Sequence, residues 1–383
     1  MKRAGNLWAE VTSMENMFAA AHAAAAGKRR RPDVAAFLLD LEPNVMQLRR
    51  QLLDESYEPG GYRTFEIREP KPRRISAAPF RDRVVHHALT RVLEPVFEKR
   101  FSPYSFACRE GMGTHAALRV ARAACAHYRY VLKCDIRKYF PSIDHEILKA
   151  RLNRVVKCKE TLRLAGRIVD GSNPQEEALF YFPGDDLFTP LERRRGLPLG
   201  NQTSQFFANV FLDPLDQAVT RELRPGAYAR YVDDFVLFGD SKDELREMRG
   251  RIVELLERDR LALHERKSRL YRCAEGVTFL GWRLFPEKAR IVRGNLVRFS
   301  RRMRRLQNDF DEGRVAWDTV RQSVRAWIGH TSFGDTVVLR GRVLDRFGFS
   351  ARGRAPSPGA AGRFLQQQYE EPARGVPQQQ RTG

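Results

Sequence analysis

Residues 230–239 read Arg-Tyr-Val-Asp-Asp-Phe-Val-Leu-Phe-Gly and place Asp233 and Asp234 side by side in an otherwise apolar run. Two carboxylates beside so much hydrophobic surface are costly to bury unless a cation lies between them, and a divalent metal is the usual one. Tyr, Val, Phe and Leu favour strands, so the run predicts a β-hairpin with the aspartates at its turn, where both can reach one site. A surface Asp-Asp turn is the alternative, although the flanks of such a turn would be more polar.

The chain is strongly basic, which bears on its partners. Its 383 residues include 68 Lys and Arg against 47 Asp and Glu, a formal net charge of +21. Such a surplus predicts a polyanionic partner, and nucleic acid is favoured over a membrane because no long apolar stretch accompanies it.

The cysteines bear on the cellular compartment. Their number is odd and none are spaced as Cys-x-x-Cys, which argues against a disulfide framework and against a structural zinc site. They are Cys108, Cys125, Cys134, Cys158 and Cys273. We therefore expect a cytoplasmic protein.

Hydrophobic periodicity and turn residues predict a chain of alternating helices and strands. The predicted elements are two or three helices over 7–57 broken at Pro32 and Pro43, a strand over 62–67, a helix over 82–100, a strand over 128–135, a helix opening at Asp144, a helix from the capping box Ser241–Glu244 to about 263, a strand pair over 277–285 and two basic helices over 295–330. A polar loop or hairpin is expected over 171–195, and disorder beyond 350.

A third carboxylate, Asp135, closes the strand predicted over 128–135. Three carboxylates at neighbouring strand ends can hold two divalent ions about 4 Å apart, an arrangement that suits in-line phosphoryl transfer. Taken alone, Asp135 is more typical of a capping residue, whereas together with Asp233 and Asp234 it favours a metal site.

Four motifs in this order resemble the palm motifs of reverse transcriptases. They are Asp135 with Phe140, Gly-Leu-Pro-Leu-Gly-Asn-Gln-Thr-Ser-Gln over 196–205, Tyr-Val-Asp-Asp over 231–234 and Phe-Leu-Gly-Trp over 279–282. The resemblance spans about 57–285. Within the family the chain is similar to enzymes of bacterial diversity-generating retroelements, because Leu199-Gly200 and Ser204-Gln205 stand where many members carry Gln-Gly and Ser-Pro.

The resemblance implies an α+β right-hand polymerase fold with fingers, an RRM-like palm and a short helical thumb. It divides the chain into an N-terminal helical region (1–56), fingers and palm (57–289), a basic helical thumb (290–350) and a disordered tail (351–383). The segment over 290–350 is too short for the maturase and endonuclease domains of a full group II intron protein.

The same resemblance assigns the metal ligands. Asp135, Asp233 and Asp234 would be catalytic and bind two Mg²⁺ ions, for which Mn²⁺ can substitute, and Ile136 would add a backbone carbonyl. Lys267 would stand where the family places a proton donor to pyrophosphate; a surface lysine is the alternative.

Nucleotide contacts are implied in the fingers and palm. Lys71 and Arg73, or Arg74 in place of Arg73, would grip the triphosphate, and Phe140 would block a ribose 2′-hydroxyl. Taken without the family, the basic tract is more typical of a solvated loop and Phe140 of core packing.

A second group of nucleotide contacts would come from Leu199, Gly200 and Gln205. Gly200 would let the backbone approach the incoming base pair. Leu199 would pack where other members present an amide, and in the resembled group this accompanies error-prone copying opposite template adenine.

Two further elements would hold the nucleic acid. Phe279, Leu280, Gly281 and Trp282 resemble the primer grip, although Trp282 fits a core position equally well. Five arginines, expected to be spread around a thumb helix rather than on one face, would track a template-primer duplex. They are Arg298, Arg301, Arg302, Arg304 and Arg305. A generic charged surface helix is the alternative.

The predicted function is therefore RNA-directed DNA polymerase in a bacterial or phage-encoded diversity-generating retroelement. The implied partners are an RNA template with its primer, deoxynucleoside triphosphates, a structured noncoding RNA and a small basic accessory protein, with no membrane. The alternatives are a reverse transcriptase of antiviral defence, a retron-like or group II intron-like enzyme, and an RNA-binding protein that has lost catalysis.

Overall fold

The structure is a computed structural model that describes residues 2–67, 72–172 and 180–348. The helices of these ranges are α1 (Trp8–Val11), α2 (Met14–Ala25), α3 (Pro32–Leu39), α4 (Leu41–Leu53), α5 (Phe80–Glu98), α6 (Thr114–His127), α7 (Tyr139–Ser142), α8 (His145–Val155), α9 (Lys159–Asp170), α10 (Thr189–Glu192), α11 (Gln202–Ala218), α12 (Lys242–Arg258), α13 (Arg293–Asp311), α14 (Trp317–Thr331) and α15 (Val337–Leu344). The strands are β1 (Arg63–Ile67), β2 (Arg73–Ala77), β3 (Tyr130–Asp135), β4 (Ala227–Tyr231), β5 (Asp234–Gly239), β6 (Arg269–Arg272), β7 (Val277–Phe279), β8 (Trp282–Leu284) and β9 (Ala289–Ile291).

The described residues divide into two compact units, the first ending at Val277 and the second beginning at Thr278. The finer division into fingers, palm, thumb and tail stays a prediction, and the predicted disorder over 351–383 lies outside the described residues. Part of the loop expected over 171–195 also lies outside them. No helix in the described ranges is both long and apolar enough to cross a bilayer.

The N-terminal region corrects one prediction. Four helices, not two or three, occupy it, and neither proline breaks a helix. Pro32 is the first residue of α3, and Pro43 lies in the first turn of α4. The missing N–H of proline costs nothing there, because the first turn of a helix has no partner for that group.

The first unit is centred on a four-stranded antiparallel sheet with strand order β4-β5-β3-β6. After its first residue, Asp234, the central strand β5 is apolar, and Phe235 to Phe238 are fully buried. Helices α6 and α12 pack against this sheet. The predicted hairpin is confirmed, since β4 ends at Tyr231 and β5 begins at Asp234.

Local signals fix the starts of helices α8 and α12. Asp144 caps α8 by accepting from the backbone N–H groups of Glu146 and Ile147, as predicted. Ser241 caps α12 by accepting from Glu244 N–H at 3.3 Å. The helix ends at Arg258, short of the predicted 263.

The second unit contains a three-stranded sheet, β7-β8-β9, and helices α13 to α15. Phe299 on α13 and Trp327 on α14 stack face to face, with ring centroids 4.0 Å apart. The strand pair and the two basic helices predicted here are confirmed, while β9 and α15 are additional.

Candidate active site

The Tyr-Val-Asp-Asp turn is held in an unusual backbone conformation. Val232 adopts φ +59°, a left-handed conformation that a β-branched residue enters only at a cost in free energy. The guanidinium of Arg230 donates to the Val232 carbonyl at 3.0 Å. The turn is therefore held by the side chain of Arg230, which lies on the preceding strand β4.

Arg230 is itself fully buried and paired. Its Nε and Nη2 donate to the two carboxylate oxygens of Asp216 at 2.7 and 2.5 Å. The remaining N–H groups reach Ser105 Oγ at 2.8 Å and Asn209 Oδ1 at 3.3 Å. Sequence reasoning assigned no role to Arg230; the signal was a charged residue in the middle of an apolar strand.

The three predicted carboxylates lie at one end of the central strands. Asp135 is the register partner of Asp234 across β3 and β5. The N–H of Ile136 donates to the Asp233 carbonyl at 3.2 Å, which ties the end of β3 to the turn. The sheet thus gathers residues far apart in sequence, and the predicted use of the Ile136 carbonyl as a metal ligand stays a prediction.

Burial and mutual repulsion shape the electrostatics of these carboxyls. Burial first, then Asp233 and Asp135, raises the pKa of Asp234 to about 7, against the opposing effect of Lys133. Burial and the neighbouring Asp135 also raise the pKa of Asp233. Raised pKa values in a group of neighbouring carboxyls are typical of a functional site, because such a group does not stabilise the fold.

Two lysines pair with this cluster. Lys267 Nζ lies 2.6 Å from Asp135 Oδ1, and Lys133 Nζ lies 3.4 Å from Asp234 Oδ2. In the described ranges, no three Asp, Glu, His or Cys side chains are arranged as a ready metal site. The donor chemistry nevertheless fits Mg²⁺, which prefers carboxylate oxygens. Asp234 Oδ1 is also buried and has no hydrogen-bond partner among the described residues.

Of the predicted fingers contacts, Arg73 and Arg74 lie on β2, which pairs with β1 as a two-stranded ribbon. Arg73 opens β2, and its charge, with that of Lys267, partly offsets the raised pKa of Asp233. The electrostatic influence of Arg73 therefore extends to the carboxylate cluster. Lys71 lies outside the described residues.

The residues predicted to surround the nucleotide occupy three different settings. Phe140 is half-buried against Tyr139, with ring centroids 5.5 Å apart. Leu199 is half-buried and Gln205 is exposed. Gly200 has φ +110°, and a Cβ there would lie 2.9 Å from Ile75 Cγ2 of the ribbon. The ribbon accounts for this glycine without an incoming base pair.

The predicted primer grip lies in the second unit. Phe279 and Trp282 are fully buried, so their side chains belong to the core. Leu280 and Gly281 form the turn between them, with φ +46° and +85°. Asn295 Nδ2 donates to the Gly281 carbonyl at 3.0 Å, a contact that sequence reasoning missed.

The five arginines predicted to bind nucleic acid lie on α13. All five are exposed, whereas Phe299, Met303 and Leu306 of the same helix are buried. Their contact with a template-primer duplex stays a prediction. The apolar residues recur every three or four positions, which leaves the arginines on the solvent side.

Comparison with known proteins places these observations in a family. Protein YkfC of Escherichia coli is 24% identical, over 63% of this chain and 71% of its own length. Mitochondrial nuclear intron maturase 2 of Arabidopsis thaliana is 32% identical over 32% of this chain, and group II intron-encoded protein LtrA of Lactococcus lactis is 24% identical over 46%. The chain matches only 19% and 28% of the length of those two proteins.

Among solved structures, apo telomerase from Candida tropicalis aligns with a TM-score of 0.46 at 12% identity, over 63% of this chain and 59% of its own. The family model described as reverse transcriptase (RNA-dependent DNA polymerase) matches residues 67–284, more than half of the chain. This match confirms the predicted right-hand polymerase fold and the predicted class of enzyme, an RNA-directed DNA polymerase. The chain belongs to the reverse transcriptase family.

Proposed function

We propose that the chain copies RNA into DNA by two-metal-ion nucleotidyl transfer at Asp135, Asp233 and Asp234. The observation that carries the proposal is the register pairing of Asp135 with Asp234 beside a turn held by Arg230. The buried acceptor Asp234 Oδ1 and the raised pKa of the same carboxyl support a cation at this point.

When bound, two Mg²⁺ ions, or Mn²⁺ in their place, would activate a primer 3′-hydroxyl and stabilise the pyrophosphate that leaves. The three carboxylates would hold these ions. Arg73, with Lys71, would orient the triphosphate, since guanidinium groups pair bidentately with phosphate oxygens. Lys267 would donate a proton to pyrophosphate, and Phe140 would exclude a 2′-hydroxyl.

The nucleic acid would be held by two surfaces of the second unit. The turn at Leu280 and Gly281 would contact the primer end, while Phe279 and Trp282 support it from the core. The five exposed arginines of α13 would bind the backbone of the template-primer duplex through charge, which makes this contact salt-dependent.

The proposed setting is a diversity-generating retroelement. Its support is the sequence: Leu199-Gly200 and Ser204-Gln205 in the second palm motif. Leucine cannot test base-pair geometry by hydrogen bonding as an amide can, so copying opposite template adenine would be error-prone. Replacing Leu199 by Gln should lower errors opposite adenine in sequenced cDNA, and unchanged errors would contradict this role.

A group II intron-like enzyme is the second candidate, and the matches to an intron maturase and an intron-encoded protein favour it. Retron-like and antiviral defence enzymes share the same chemistry. A template-variable repeat pair and a gene for a small basic accessory protein beside this gene would support a diversity-generating element. An intron RNA structure around it would support the second candidate. For each of these we propose a cytoplasmic enzyme with a structured noncoding RNA as partner.

The decisive experiment is primer extension on an RNA template with Mg²⁺ or Mn²⁺, in the presence and absence of the cognate noncoding RNA. The native chain should extend the primer, and Asp233→Ala plus Asp234→Ala should abolish extension while RNA binding persists. Asp243→Ala is the control, because this aspartate lies exposed on α12. RNA binding without extension by the native chain in every condition would support an inactive RNA-binding protein instead.

A further inference from the structure

Asn201 stands at a helix start but does not act as a helix cap. It precedes α11 with φ −108° and ψ 148°, the extended conformation usual for a capping residue. Its side chain is almost fully buried and makes no capping hydrogen bond to the described residues of the helix. Asparagine is a favoured cap because its oxygen accepts from the first helical N–H groups. The amide of Asn201 is committed elsewhere.

Both ends of that amide meet the backbone at the end of the ribbon. Asn201 Nδ2 donates to the Ser76 carbonyl at 2.8 Å, and Asn201 Oδ1 accepts from the Ala78 N–H at 3.1 Å. The Ser76 N–H in turn donates to the Leu199 carbonyl at 3.0 Å. Residues 199–201 therefore bind along the free edge of β2, where a third strand of the ribbon would lie.

Gly200 allows this close approach. With φ +110° and a notional Cβ only 2.9 Å from Ile75 Cγ2, its backbone lies directly against the ribbon. Arg73 lies two residues before Ile75 on the same strand, and side chains two apart share a face. One hydrogen-bonded unit thus carries Arg73, proposed for the triphosphate, and Leu199, proposed for the base pair.

We propose that Asn201 is a specificity-determining positioning residue that locks the ribbon to the Leu199-Gly200 segment. With the lock intact, Arg73 and Leu199 keep a fixed position relative to each other. Nucleotide affinity, which depends on Arg73, and selectivity, which depends on Leu199, are therefore linked. Without the lock, neither Arg73 nor Leu199 is held in position for the nucleotide, so affinity and selectivity fall together. This inference rests on the proposed polymerase function.

Asn201→Ala tests the lock kinetically. It should raise the KM for each deoxynucleoside triphosphate about tenfold, as expected for lost buried hydrogen bonds, with a kcat change under about twofold. Misincorporation should rise at the same time. Asn201→Asp keeps an acceptor for the Ala78 N–H but loses the donor to Ser76, so its effect should be of similar direction.

Asn16→Ala is the matched control. Asn16 is also buried, and its amide donates to two backbone carbonyls, of Val11 at 3.1 Å and Ala88 at 3.0 Å. It should lower the denaturation midpoint as Asn201→Ala does, and leave KM and misincorporation unchanged. If Asn201→Ala lowers the midpoint but leaves KM and misincorporation at native values, Asn201 is structural only and the proposal falls.

Amide hydrogen exchange separates this proposal from the polymerase function. In Asn201→Ala the Ser76 and Ala78 N–H groups should exchange faster, whereas in Asn201→Asp the Ala78 N–H should stay protected. Unchanged exchange at both amides in Asn201→Ala would refute the lock. Faster exchange in a chain whose native form extends no primer would retain the lock and overturn only the function on which its kinetic role rests.

Discussion

Arg230 should be required both for folding of the first unit and, separately, for the geometry of the catalytic turn. The perturbation is Arg230→Met, which keeps much of the side-chain volume and removes the guanidinium. Asp216 would then remain as a buried charge whose neighbour Tyr228 donates one hydrogen bond at 2.7 Å. Loss of one partner from a buried ion pair costs about 3–5 kcal/mol, a large share of a typical free energy of unfolding.

A second substitution separates the two roles of Arg230. In Arg230→Met with Asp216→Asn the buried charge is gone, while the asparagine oxygen can still accept from Tyr228. Most of the lost stability should return, because the penalty came from the unpaired charge. The bond to the Val232 carbonyl does not return, so the left-handed turn stays unsupported. We expect urea denaturation near the native midpoint and primer extension at least about tenfold slower than native.

Arg151 and Asp259 form the matched control pair. Their side chains are 8% and 17% exposed, so the pair is also largely buried. Arg151 packs over the Phe211 ring, with the guanidinium carbon 4.4 Å from its centroid. Arg151→Met with Asp259→Asn should alter the midpoint without slowing extension by folded protein. A double variant of Arg230 and Asp216 that extends primers at the native rate would refute the role assigned to the Val232 contact.

Three further predictions concern single residues. Gly200→Ala should cost about 1–2 kcal/mol from its positive φ and displace Ile75, reducing primer extension, while Gly61→Ala, whose Cβ meets open space beside the ribbon, should leave extension unchanged. His86 is buried without a partner for either ring nitrogen in the described ranges, and its pKa is lowered to about 3, chiefly by burial. The unfolded chain takes up this proton below about pH 6.5, so the free energy of unfolding should fall between about pH 6.5 and 3, by about 2 kcal/mol at pH 5. In His86→Leu the urea midpoint should fall less steeply over this pH range. An unchanged pH dependence of the midpoint would contradict the role assigned to His86. Cys108 is exposed, whereas Cys125, Cys134, Cys158 and Cys273 are buried. Mass spectrometry after mild alkylation should therefore find Cys108 modified first, and early modification of a buried cysteine would indicate local opening.

The carboxylate cluster could be predicted because its signals are local. An apolar strand that ends in aspartate is visible in the sequence at Asp135 and again at Asp233 and Asp234. Their meeting follows once the strands pair, and the register of Asp135 with Asp234 is what two such strand ends produce. The capping residues Asp144 and Ser241 were predictable for the same reason.

The partners that support the site were not predictable, because no local pattern shows which residues they are. Arg230 is visible in the sequence as a charge in an apolar strand, but its ion-pair partner Asp216 reaches it from α11. Asn201 shows an ordinary capping pattern, and its true partners lie in the ribbon. Trp282 could serve a core or a ligand by its sequence; its packing on Phe333, with ring centroids 5.2 Å apart, makes it core.

Helix α15 shows tertiary packing overriding local preference. Its sequence begins Val-Val-Leu and contains a glycine, which favours a strand or a loop. Val343 and Leu344 are nevertheless buried in the cluster that includes Phe299 and Trp327. Burial contributes about 1.5–3 kcal/mol for each of these two side chains, whereas the propensity cost is tenths of a kcal/mol for each valine and about 1 kcal/mol for the glycine.

The cations around the catalytic turn divide by chemistry into two kinds. Arg230 is fully buried, and its planar guanidinium donates to fixed partners, which include the Val232 carbonyl. It can therefore hold the backbone of the turn but cannot exchange partners during a reaction. Lys267 is a point charge on a flexible stem with 42% of its side chain exposed. Its ion pair with Asp135 can therefore be replaced by an ion pair with a phosphate at a small cost in free energy. The proposed proton donor, Lys267, is thus an exposed and flexible cation, whereas Arg230, which holds the Tyr-Val-Asp-Asp turn, is buried and fixed.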